Sequence, residues 1–252
     1  MKKKTAPPLI TVITVVLNDR KHISQTIESV INQSFKNFEY IIVDGGSTDG
    51  TLDIIKKYNE NIDLLISEPD NGIYDAMNKG ISFSNGRYIY FLNSGDKIIN
   101  KTCFYDLSTQ LKNNHDILYG NINIIDSNNV GNIQEHKSFK RINLLKKTIC
   151  HQAIFFKKEI FSQIGVFNLD YKIKSDYEWL LRYYFNYGRR KVFHIQYTIA
   201  DYLTGGISFN NEKDKIEKYV ILKIYFSKIE IILYQIFNLK SFIRNNIKLN
   251  QS

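Results

Sequence analysis

Residues 39–50 read EYIIVDGGSTDG, so a short apolar run leads directly into an acidic, glycine-rich loop. Continuous β-branched and aliphatic residues over this length are typical of a strand that is buried on both faces of a sheet. An earlier run containing ITVITVV predicts a first strand over residues 9–17. Between the two strands, apolar residues at helical spacing predict a helix over residues 22–34.

The same pattern continues after the loop. Further strands are predicted at residues 63–67 and 88–92, separated by helices that begin near residue 51 and span 76–84. Repeated strand–helix–strand units imply a mostly parallel sheet with right-handed crossovers. The predicted fold class is therefore α/β and Rossmann-like, with a central sheet flanked by helices.

The second half of the chain carries weaker signals. Residues 117–125 predict a strand or a hairpin, and residues 153–156 predict a short strand. A helix is predicted over residues 176–186, with Trp179 on its inner face. Residues 212–246, which are rich in Ile, Tyr and Phe with interleaved Lys, predict a long helix or a helix pair.

Polar side chains follow each of the four predicted strands at the point where the strand ends. In chain order they are Asn18 and Asp19, Asp44, Glu68 and Asp70, and Asp96. Because ligands of parallel α/β sheets bind beyond the carboxyl ends of the strands, we expect these side chains to form one site. The competing explanation is that loops are polar wherever they are exposed.

The composition is that of a folded globular protein with an excess of positive charge. Of its 252 residues, 43% are hydrophobic and 23% charged, and the formal net charge is +9. This charge favours a phosphorylated ligand, a nucleic acid or an acidic membrane as partner, or it reflects only a lysine-rich surface. Cys103 and Cys150 lie far apart without metal-ligand spacing, which fits a reducing compartment.

The N-terminal residues resemble a signal peptide only in part. Lys2, Lys3 and Lys4 precede an apolar run, but Pro7 and Pro8 interrupt the junction and no small-residue cleavage site follows. No stretch of about 18 uncharged apolar residues occurs, so no membrane-spanning helix is predicted. We therefore expect a cytoplasmic protein.

The loop at residues 44–50 matches neither of two common phosphate-binding signatures. Gly45 and Gly50 have the spacing of a P-loop, but Thr51 stands where the P-loop lysine would be. The dinucleotide fingerprint is also absent, and this loop follows the second strand instead of the first. What remains is an acidic strand end with a glycine turn, which can hold a polar ligand such as a base or a ribose.

Asp96 follows Gly95 at the end of the fourth predicted strand. A carboxylate at this place suits Mg²⁺ or Mn²⁺, and such an ion would neutralise charge on a phosphate leaving group. A single acid in a turn also commonly stabilises the turn itself. Taken alone, Asp96 leaves both interpretations open.

In their order along the chain, these motifs resemble glycosyltransferase family 2. The matching stretches are ITVITVVLN, QSFKNFEYIIVDGGSTDGT, GIYDAMNKGI, GRYIYFLNSGD, ICHQAIFF and IGVFNLDYKIKSDYEWLLR, within residues 8–207. The resemblance is to bacterial enzymes that build surface polysaccharides, such as colanic acid, capsule or the O-antigen of lipopolysaccharide. It implies a GT-A fold, a nucleotide-sugar donor, a divalent metal ion and inversion at the anomeric carbon.

This resemblance suggests three parts. Residues 1–100 would form the nucleotide-sugar-binding half, and residues 101–207 the acceptor-side half of the same GT-A domain. Residues 208–252 would form a C-terminal helical extension.

The resemblance also assigns donor-side residues by position. Asp44 matches an acid that faces the nucleoside, whereas Gly45 stands where a second acid is common. Of the family's metal motif only Asp96 is acidic, so Asp96 is the predicted metal ligand. The other residues predicted to bind the nucleotide sugar are Gly45, Asn18, Asn78, Lys79, Asn93 and Ser94.

Asp176, in the sequence KSDYEW, matches the family's catalytic base. A carboxylate there would accept the proton of the acceptor hydroxyl as that hydroxyl attacks the anomeric carbon. Its position at the start of a helix, taken alone, would favour a cap or a charge that stabilises the helix dipole. Glu178 is the second choice for the base, although a residue two positions later points elsewhere on a helix.

Three further residues are assigned to the acceptor side. His151 and Gln152 occupy a family position near the acceptor, although a lone histidine is often structural. Trp179 could stack on a sugar, but its helical spacing from Asp176 also fits a core residue.

The predicted function is an inverting transfer of a hexose-type residue, with a UDP-sugar as expected donor and a saccharide or lipid-linked saccharide as acceptor. A nucleotidyltransferase is an alternative, but its glycine- and lysine-rich signature is missing after the first strand. A degenerate, non-catalytic transferase is a second alternative, because only one acidic residue of the metal motif is present. A nucleic-acid-binding module is disfavoured, since no motif for reading bases is found.

Residues 212–246 extend beyond the resemblance. Their basic, amphipathic character fits peripheral association with the inner face of the cytoplasmic membrane. Packing against the core or against a second subunit fits the same pattern, and the sequence leaves the alternatives open.

Overall fold

The computed structural model describes residues 7–126, 130–204 and 212–236. Within these ranges, one mixed sheet is flanked by helices on both faces. The strands are β1 (Ile10–Val16), β2 (Phe38–Asp44), β3 (Leu64–Ser67), β4 (Tyr88–Phe91), β5 (Lys97–Ile98), β6 (Ile117–Ile125), β7 (Gly131–Gln134), β8 (Ile154–Lys157) and β9 (Val192–Leu203). The α-helices are α1 (Ile23–Ile31), α2 (Thr51–Lys56), α3 (Ile73–Phe83), α4 (Cys103–Lys112), α5 (Arg141–Lys146), α6 (Lys158–Ile164), α7 (Ser175–Tyr187) and α8 (Glu212–Tyr225).

The strand order is β3-β2-β1-β4-β8-β6-β9-β5, and β7 pairs with β6. As predicted, the first four strands pair with one another in parallel. Strand β8 then joins β4 and β6 through antiparallel pairs, while β9 runs parallel to β6 with a register irregularity. The predicted α/β class is confirmed, and its parallel part lies mainly in the N-terminal half.

Alternate residues of the parallel strands face two separate hydrophobic cores. Ile13 and Ile41 belong to the core that includes α3 and α7. Val12 and Ile42 belong to the core that includes α1, α2 and α4. Because successive side chains of a strand point to opposite faces, a sheet covered on both sides requires continuous apolar runs. This is the physical reason for the ITVITVV and EYIIV sequences.

Helix α3 begins three residues earlier than predicted, at Ile73. Gly72 has a φ of 116°, a conformation that favours glycine, and it turns the chain into the helix. The Asp75 carboxylate accepts a hydrogen bond from the backbone N–H of Asn71 at 2.9 Å. The preceding residues 68–72, EPDNG, look like a loop, so the start of the helix is hard to place from the sequence.

Strand β9 and helices α4 and α6 are absent from the prediction. Most of β9 is only half-buried, so its sequence, VFHIQYTIADYL, has neither a continuous apolar run nor a clean alternation. The strand alternative for residues 117–125 is correct, since these nine residues form β6, which pairs with β7 in antiparallel fashion.

The C-terminal region forms a helix pair in its described part. Helix α8 is followed by helical residues 228–236, whereas 237–246 lie outside the described residues, as do Lys2, Lys3 and Lys4. Ile221 and Leu222 of α8 are buried in the same core as α7. Among the helices of the described ranges, none combines the length and the apolar character needed to cross a membrane.

Candidate active site

The carboxyl ends of the first three strands lie level at one edge of the sheet. Val16 of β1 pairs with Asp44 of β2, and Asp44 pairs with Ser67 of β3. Strand β4 lies on the other side of β1 and continues into residues 93–96. The polar residues that follow these strands are therefore gathered along one edge.

The loop after β2 is held by side chains from neighbouring strand ends. Asn18 has a φ of 52°, and its Oδ1 accepts a hydrogen bond from the backbone N–H of Thr48 at 2.8 Å. Asp44 is fully buried and accepts hydrogen bonds from Ser47 N at 3.2 Å and Ser67 Oγ at 2.7 Å. In this arrangement Asp44 braces the loop from inside, instead of presenting a free carboxylate to a nucleoside as the resemblance implied.

Gly45 brings two loops into close contact. A Cβ at this position would lie 2.4 Å from Oδ2 of Asp70, which is shorter than any ordinary non-bonded contact. Asp70 also accepts a hydrogen bond from Gly72 N at 2.8 Å. The glycine therefore allows the carboxylate of Asp70, from the loop after β3, to reach the loop after β2.

Asp96 lies beside the end of β4 and is only 4% exposed. Its Oδ2 accepts a hydrogen bond from Gln152 Nε2 at 2.8 Å, and its Oδ1 accepts one from Leu203 N at 3.1 Å. Burial raises the pKa of this carboxyl to about 7, although the two hydrogen bonds and His151 act against the rise. Near neutral pH a cation would therefore favour its charged form.

Asp176 lies in the first turn of α7 and is 7% exposed. Its Oδ1 accepts hydrogen bonds from Tyr74 OH at 2.9 Å and Tyr177 N at 2.8 Å, and its Oδ2 lies 3.1 Å from His151 Nδ1. Burial alone would raise the pKa of Asp176, but His151, Lys174 and Tyr74 together lower it below its usual value. The carboxyl is therefore ionised at neutral pH, as a proton acceptor must be.

His151 connects Asp176 to the end of β4. Its Nε2 lies 3.0 Å from the amide nitrogen of Asn93, which can only donate a hydrogen bond. These partners assign the ring proton to Nδ1, from which it is donated to Asp176. Asn93 Oδ1 is buried without a hydrogen-bond partner among the described residues.

Two consecutive residues thus contact the two predicted acids. His151 meets Asp176, and Gln152 donates to Asp96. Both belong to the 3-10 turn His151–Ala153, which directly precedes β8. The fold thereby brings the end of β4 and the start of α7 to one place.

Asp19 was expected at this edge from its place after the first strand, but the prediction gave it no specific role in the site. Its Oδ2 accepts a hydrogen bond from Ser94 Oγ at 2.7 Å, and its charge adds to the rise in the pKa of Asp96. Its Oδ1 lies 2.6 Å from Nδ1 of His22. Its position directly after Asn18, at the end of the first strand, is the sequence signal that could have identified it.

Tyr74 was also missed. Its hydroxyl lies 2.7 Å from the backbone oxygen of Ile173 and 2.9 Å from Oδ1 of Asp176. Burial, together with the charge of Asp176, raises the pKa of Tyr74 well above its ordinary value, so the hydroxyl remains a donor. The one sequence signal for a role of Tyr74 in the site is its place in GIYDAMNKGI, a stretch that matches the family.

Lys79 lies on α3 above the loop that follows β3. Its Nζ donates to the backbone oxygen of Pro69 at 3.0 Å and forms an ion pair with Glu68 at 2.9 Å. The hydrogen bond to Glu68 raises the pKa of Lys79. The positive charge of Lys79 is thus held near the carboxyl edge of the sheet, on the side where the nucleotide sugar is predicted to bind.

The side chains of Asn78 and Trp179 are not among those that contact Asp96 or Asp176. The amide of Asn78 is used by the backbone of Phe167, donating to its oxygen at 2.9 Å and accepting from its N–H at 3.0 Å. Trp179 is fully buried, and its indole N–H donates to the Gly165 oxygen at 2.9 Å. The acceptor-side assignment of Trp179 is wrong, because α7 packs this side chain into the aromatic core next to Phe156.

Glu178 faces away from the acid cluster. Its carboxylate pairs with Arg182 at 2.6 Å and accepts a hydrogen bond from Tyr225 OH at 2.5 Å. Both oxygens are therefore engaged at the interface with α8. This leaves Asp176 as the carboxylate of α7 that faces the site.

In the described ranges, no group of three or more His, Cys, Asp or Glu side chains is arranged to hold a metal ion. Mg²⁺ bound together with a nucleotide needs only one or two protein carboxylates, because phosphates and water supply the remaining ligands. Asp96, with Asp19 acting on it electrostatically, fits this requirement. Each oxygen of Asp96 also keeps a lone pair beyond its one hydrogen bond to the protein.

The parallel edge with its acidic strand ends, and the second carboxylate from α7, define a glycosyltransferase of the GT-A fold. The model of the family described as "Glycosyl transferase family 2" matches residues 11–200. This chain belongs to glycosyltransferase family 2, and the predicted resemblance is confirmed.

Curated relatives agree with this assignment. A PGL/p-HBAD biosynthesis glycosyltransferase of Mycobacterium bovis is 32% identical over 187 residues, which cover 72% of each chain. TuaG of Bacillus subtilis, named as a teichuronic acid biosynthesis glycosyltransferase, is 44% identical over 93 residues, covering 36% of this chain and 37% of TuaG.

Solved structures show the same fold at low sequence identity. S. aureus TarS 1-349 in complex with UDP-GlcNAc has a TM-score of 0.69 at 18% identity, covering 86% of this chain and 65% of that chain. Mannosyltransferase PcManGT from Pyrobaculum calidifontis, in complex with GDP-Man and Mn²⁺, has a TM-score of 0.60 at 16% identity, covering 81% and 59%. This chain therefore spans less than two thirds of either protein.

Proposed function

We propose that this chain transfers a sugar from a nucleotide-diphosphate donor, with UDP as the nucleotide, to a hydroxyl of a saccharide acceptor, with inversion at the anomeric carbon. The observation that carries the proposal is that His151 and Gln152, neighbours in one turn, contact Asp176 and Asp96 respectively. Inversion requires a base on the acceptor side and charge stabilisation on the side of the leaving group. Two separately held carboxylates suit these two tasks.

Asp176 is the proposed base. Its Oδ1 already accepts two hydrogen bonds from the protein, whereas Oδ2 has only the contact with His151. The remaining lone pair of Oδ2 is therefore the position that takes the proton from the acceptor hydroxyl. Tyr74 and His151 hold the carboxylate in this orientation and keep it ionised.

Asp96 is the proposed metal ligand, with Asp19 as a second carboxylate nearby. When bound, a divalent cation would neutralise the negative charge that develops on the departing diphosphate. The nucleotide would lie along the loop after β2, which Asn18 holds and which Gly45 allows to approach the loop after β3. Lys79 would lie at the edge of this nucleotide site. The UDP-GlcNAc and Mn²⁺ named for the neighbouring structures support this choice of ligands.

A cell-surface saccharide is the proposed product, of the polysaccharide class that the name of TuaG indicates for that relative. O-antigen, capsule and related lipid-linked chains are members of this class. In the proposed division of labour, residues 1–100 bind the donor and residues 101–207 face the acceptor.

The C-terminal helix pair is the proposed contact with the inner face of the cytoplasmic membrane. Ile216, Ile224 and Leu233 are 60–61% exposed, so the outer face of the pair is apolar. Three of the four acids in residues 212–236 instead bind the protein, since Asp214 pairs with Lys174, Glu217 with backbone N–H groups and Glu230 with Arg141. An exposed apolar face on a helix pair that also carries lysines suits an anionic bilayer.

The proposal is tested by a thermal-shift screen of UDP-, GDP- and dTDP-sugars in the presence of Mn²⁺. A donor at a hundred times its Kd should stabilise the protein by about 2.7 kcal/mol, or roughly 5–10 °C in Tm. Asp96→Ala should lose the metal-dependent part of this shift, whereas Asp53→Ala, which removes an exposed acid on α2, should retain it. If no nucleotide sugar shifts Tm, or if Asp96→Ala binds donor and metal normally, the donor site is assigned wrongly.

A further inference from the structure

The segment that leads into Asp176 is fixed by a residue of α8. The carboxylate of Glu217 accepts hydrogen bonds from the backbone N–H groups of Lys172 at 2.8 Å, Ile173 at 2.9 Å and Lys174 at 2.9 Å. Successive N–H groups that converge on one anion form a strong, directional anchor. Residues 172–174 thus depend on a helix that follows them by some forty positions.

Two more contacts tie α8 to the same region. Lys174 forms an ion pair with Asp214 at 2.5 Å, and Tyr225 OH donates to Glu178 at 2.5 Å. Both of these contacts join side chains, whereas the backbone of residues 172–174 is bound by Glu217. Helix α8 lies outside residues 11–200, the part that matches the family model.

A short path leads from Glu217 to the catalytic carboxylate. Glu217 accepts a hydrogen bond from the N–H of Lys174, and the oxygen of the same peptide unit, that of Ile173, lies 2.7 Å from the hydroxyl of Tyr74. The same hydroxyl lies 2.9 Å from Oδ1 of Asp176. A shift of the Ile173 peptide would therefore move Tyr74, and with it the orientation of Asp176.

We propose that Glu217 is a positioning residue for the base Asp176, so that α8 is a working part of the active site. This inference rests on the proposed function of Asp176. Glu217 acts through the backbone of residues 172–174 and through Tyr74, and it touches neither donor nor acceptor.

Loss of Glu217 should loosen the segment without unfolding the protein. The hydrogen bond to Lys172 is exposed, and the other two are only partly buried, so water can replace the carboxylate. A displacement of about 1 Å at a catalytic group can nevertheless cost on the order of a hundredfold in rate. The expected signature is therefore a reduced kcat in a folded protein.

The test compares Glu217→Ala with Tyr225→Phe in the full-length chain. Tyr225→Phe is the matched control, because it removes a contact of the same helix with α7 but leaves the backbone of residues 172–174 bound. Glu217→Ala should lower kcat by about ten- to a hundredfold, with the KM for the donor changed less than about threefold. Hydrogen exchange should speed up at the amides of residues 172–174, while Tyr225→Phe should stay close to wild type in kcat.

The outcomes separate this inference from the proposed function. If Asp176→Asn keeps normal turnover, the proposed function is wrong, and the proposed role of Glu217 is wrong as well. If Asp176→Asn is inactive but Glu217→Ala keeps kcat within twofold of wild type, or Tyr225→Phe loses as much as Glu217→Ala, the positioning role is wrong. If Glu217→Ala fails to fold, Glu217→Gln replaces it in the test, because Gln keeps one acceptor oxygen. Glu217→Gln should then lower kcat by less than the ten- to hundredfold expected for Glu217→Ala. A wild-type kcat in Glu217→Gln would overturn the proposal.

Discussion

Replacing Asp96 with Asn should stabilise the protein at high pH and leave its stability nearly unchanged at low pH. Asp96 is 4% exposed, and burial raises its pKa to about 7. In the unfolded chain the same carboxyl ionises at its ordinary value of 3.8. Between these two values the native state keeps a proton that the unfolded state has lost, so the free energy of unfolding falls as pH rises through this window.

The magnitude follows from the size of the shift. Raising the pKa from 3.8 to about 7 is a change of roughly three units. At about 1.4 kcal/mol per unit, the ionised carboxyl costs the native state about 4 kcal/mol at pH 8. Asn carries no charge at any pH and can keep the hydrogen bond from Leu203 N, so the variant avoids this cost.

Urea unfolding provides the assay. Trp179 is the single tryptophan of the chain and is fully buried, so its fluorescence reports the loss of the core. Unfolding free energies of wild type and Asp96→Asn should be compared from pH 5 to pH 8 in EDTA. Their difference should grow in favour of the variant by about 2–3 kcal/mol over this range, and Asp53→Asn, at an exposed acid of α2, is the control.

A difference that stays constant over this pH range would refute the reasoning, because it would mean that Asp96 ionises alike in the native and unfolded states. Mn²⁺ adds a second check. At pH 8 the ion should stabilise wild type but not Asp96→Asn.

Three further predictions concern the surroundings of the acids. His151→Ala removes a hydrogen bond that lowers the pKa of Asp176, so the acid limb of the kcat/KM profile should move to higher pH; His151→Asn, which keeps an N–H donor, should move it less, and an unmoved limb in the Ala variant would contradict the contact. Gly45→Ala should weaken donor binding about tenfold by calorimetry, because its Cβ would lie 2.4 Å from Asp70 Oδ2 and displace that carboxylate, and Asp70→Ala should relieve the defect; normal binding by the single variant would show that the position of the Asp70 carboxylate does not matter for the donor. Ile224→Asp on the exposed face of α8 should reduce co-sedimentation with anionic vesicles severalfold, and undiminished binding would argue against the membrane contact.

The first half of the fold follows closely from the sequence because its strands are buried on both faces. ITVITVV and EYIIV cannot be placed at the surface without exposing many apolar side chains, so their strand character is unambiguous. The helices between them fix the crossovers and the parallel order. The carboxyl edge, and hence the location of the site, follows from that order.

In the second half, β6, β8 and α7 were predicted as separate elements, but their order in the sheet and strand β9 could not be predicted in this way. Strands β8 and β9 lie far apart in the chain and enter the sheet among earlier strands, and β9 is only partly covered. Its side chains therefore show no clear periodicity. Pairings between distant segments leave little local trace in a sequence.

At the site, the acids were easier to predict than their partners. Asp96 and Asp176 stand in recognisable motifs, but the hydrogen bonds of Tyr74 and Glu217 depend on tertiary packing across many residues. Trp179 is the opposite case, a residue that the sequence assigned to the site although it is structural. An aromatic residue near a catalytic acid looks like a sugar platform, and only its burial shows that it belongs to the core.

The most direct measurement is the rate of sugar transfer by Asp176→Asn with a donor that binds the wild type. Asn preserves the shape of the side chain but cannot accept the proton of the acceptor hydroxyl, so turnover should fall by roughly a hundred- to ten-thousandfold while donor affinity stays the same. A variant that still transfers sugar at the wild-type rate would show that the proton is taken elsewhere, and the account of the two carboxylates would be wrong.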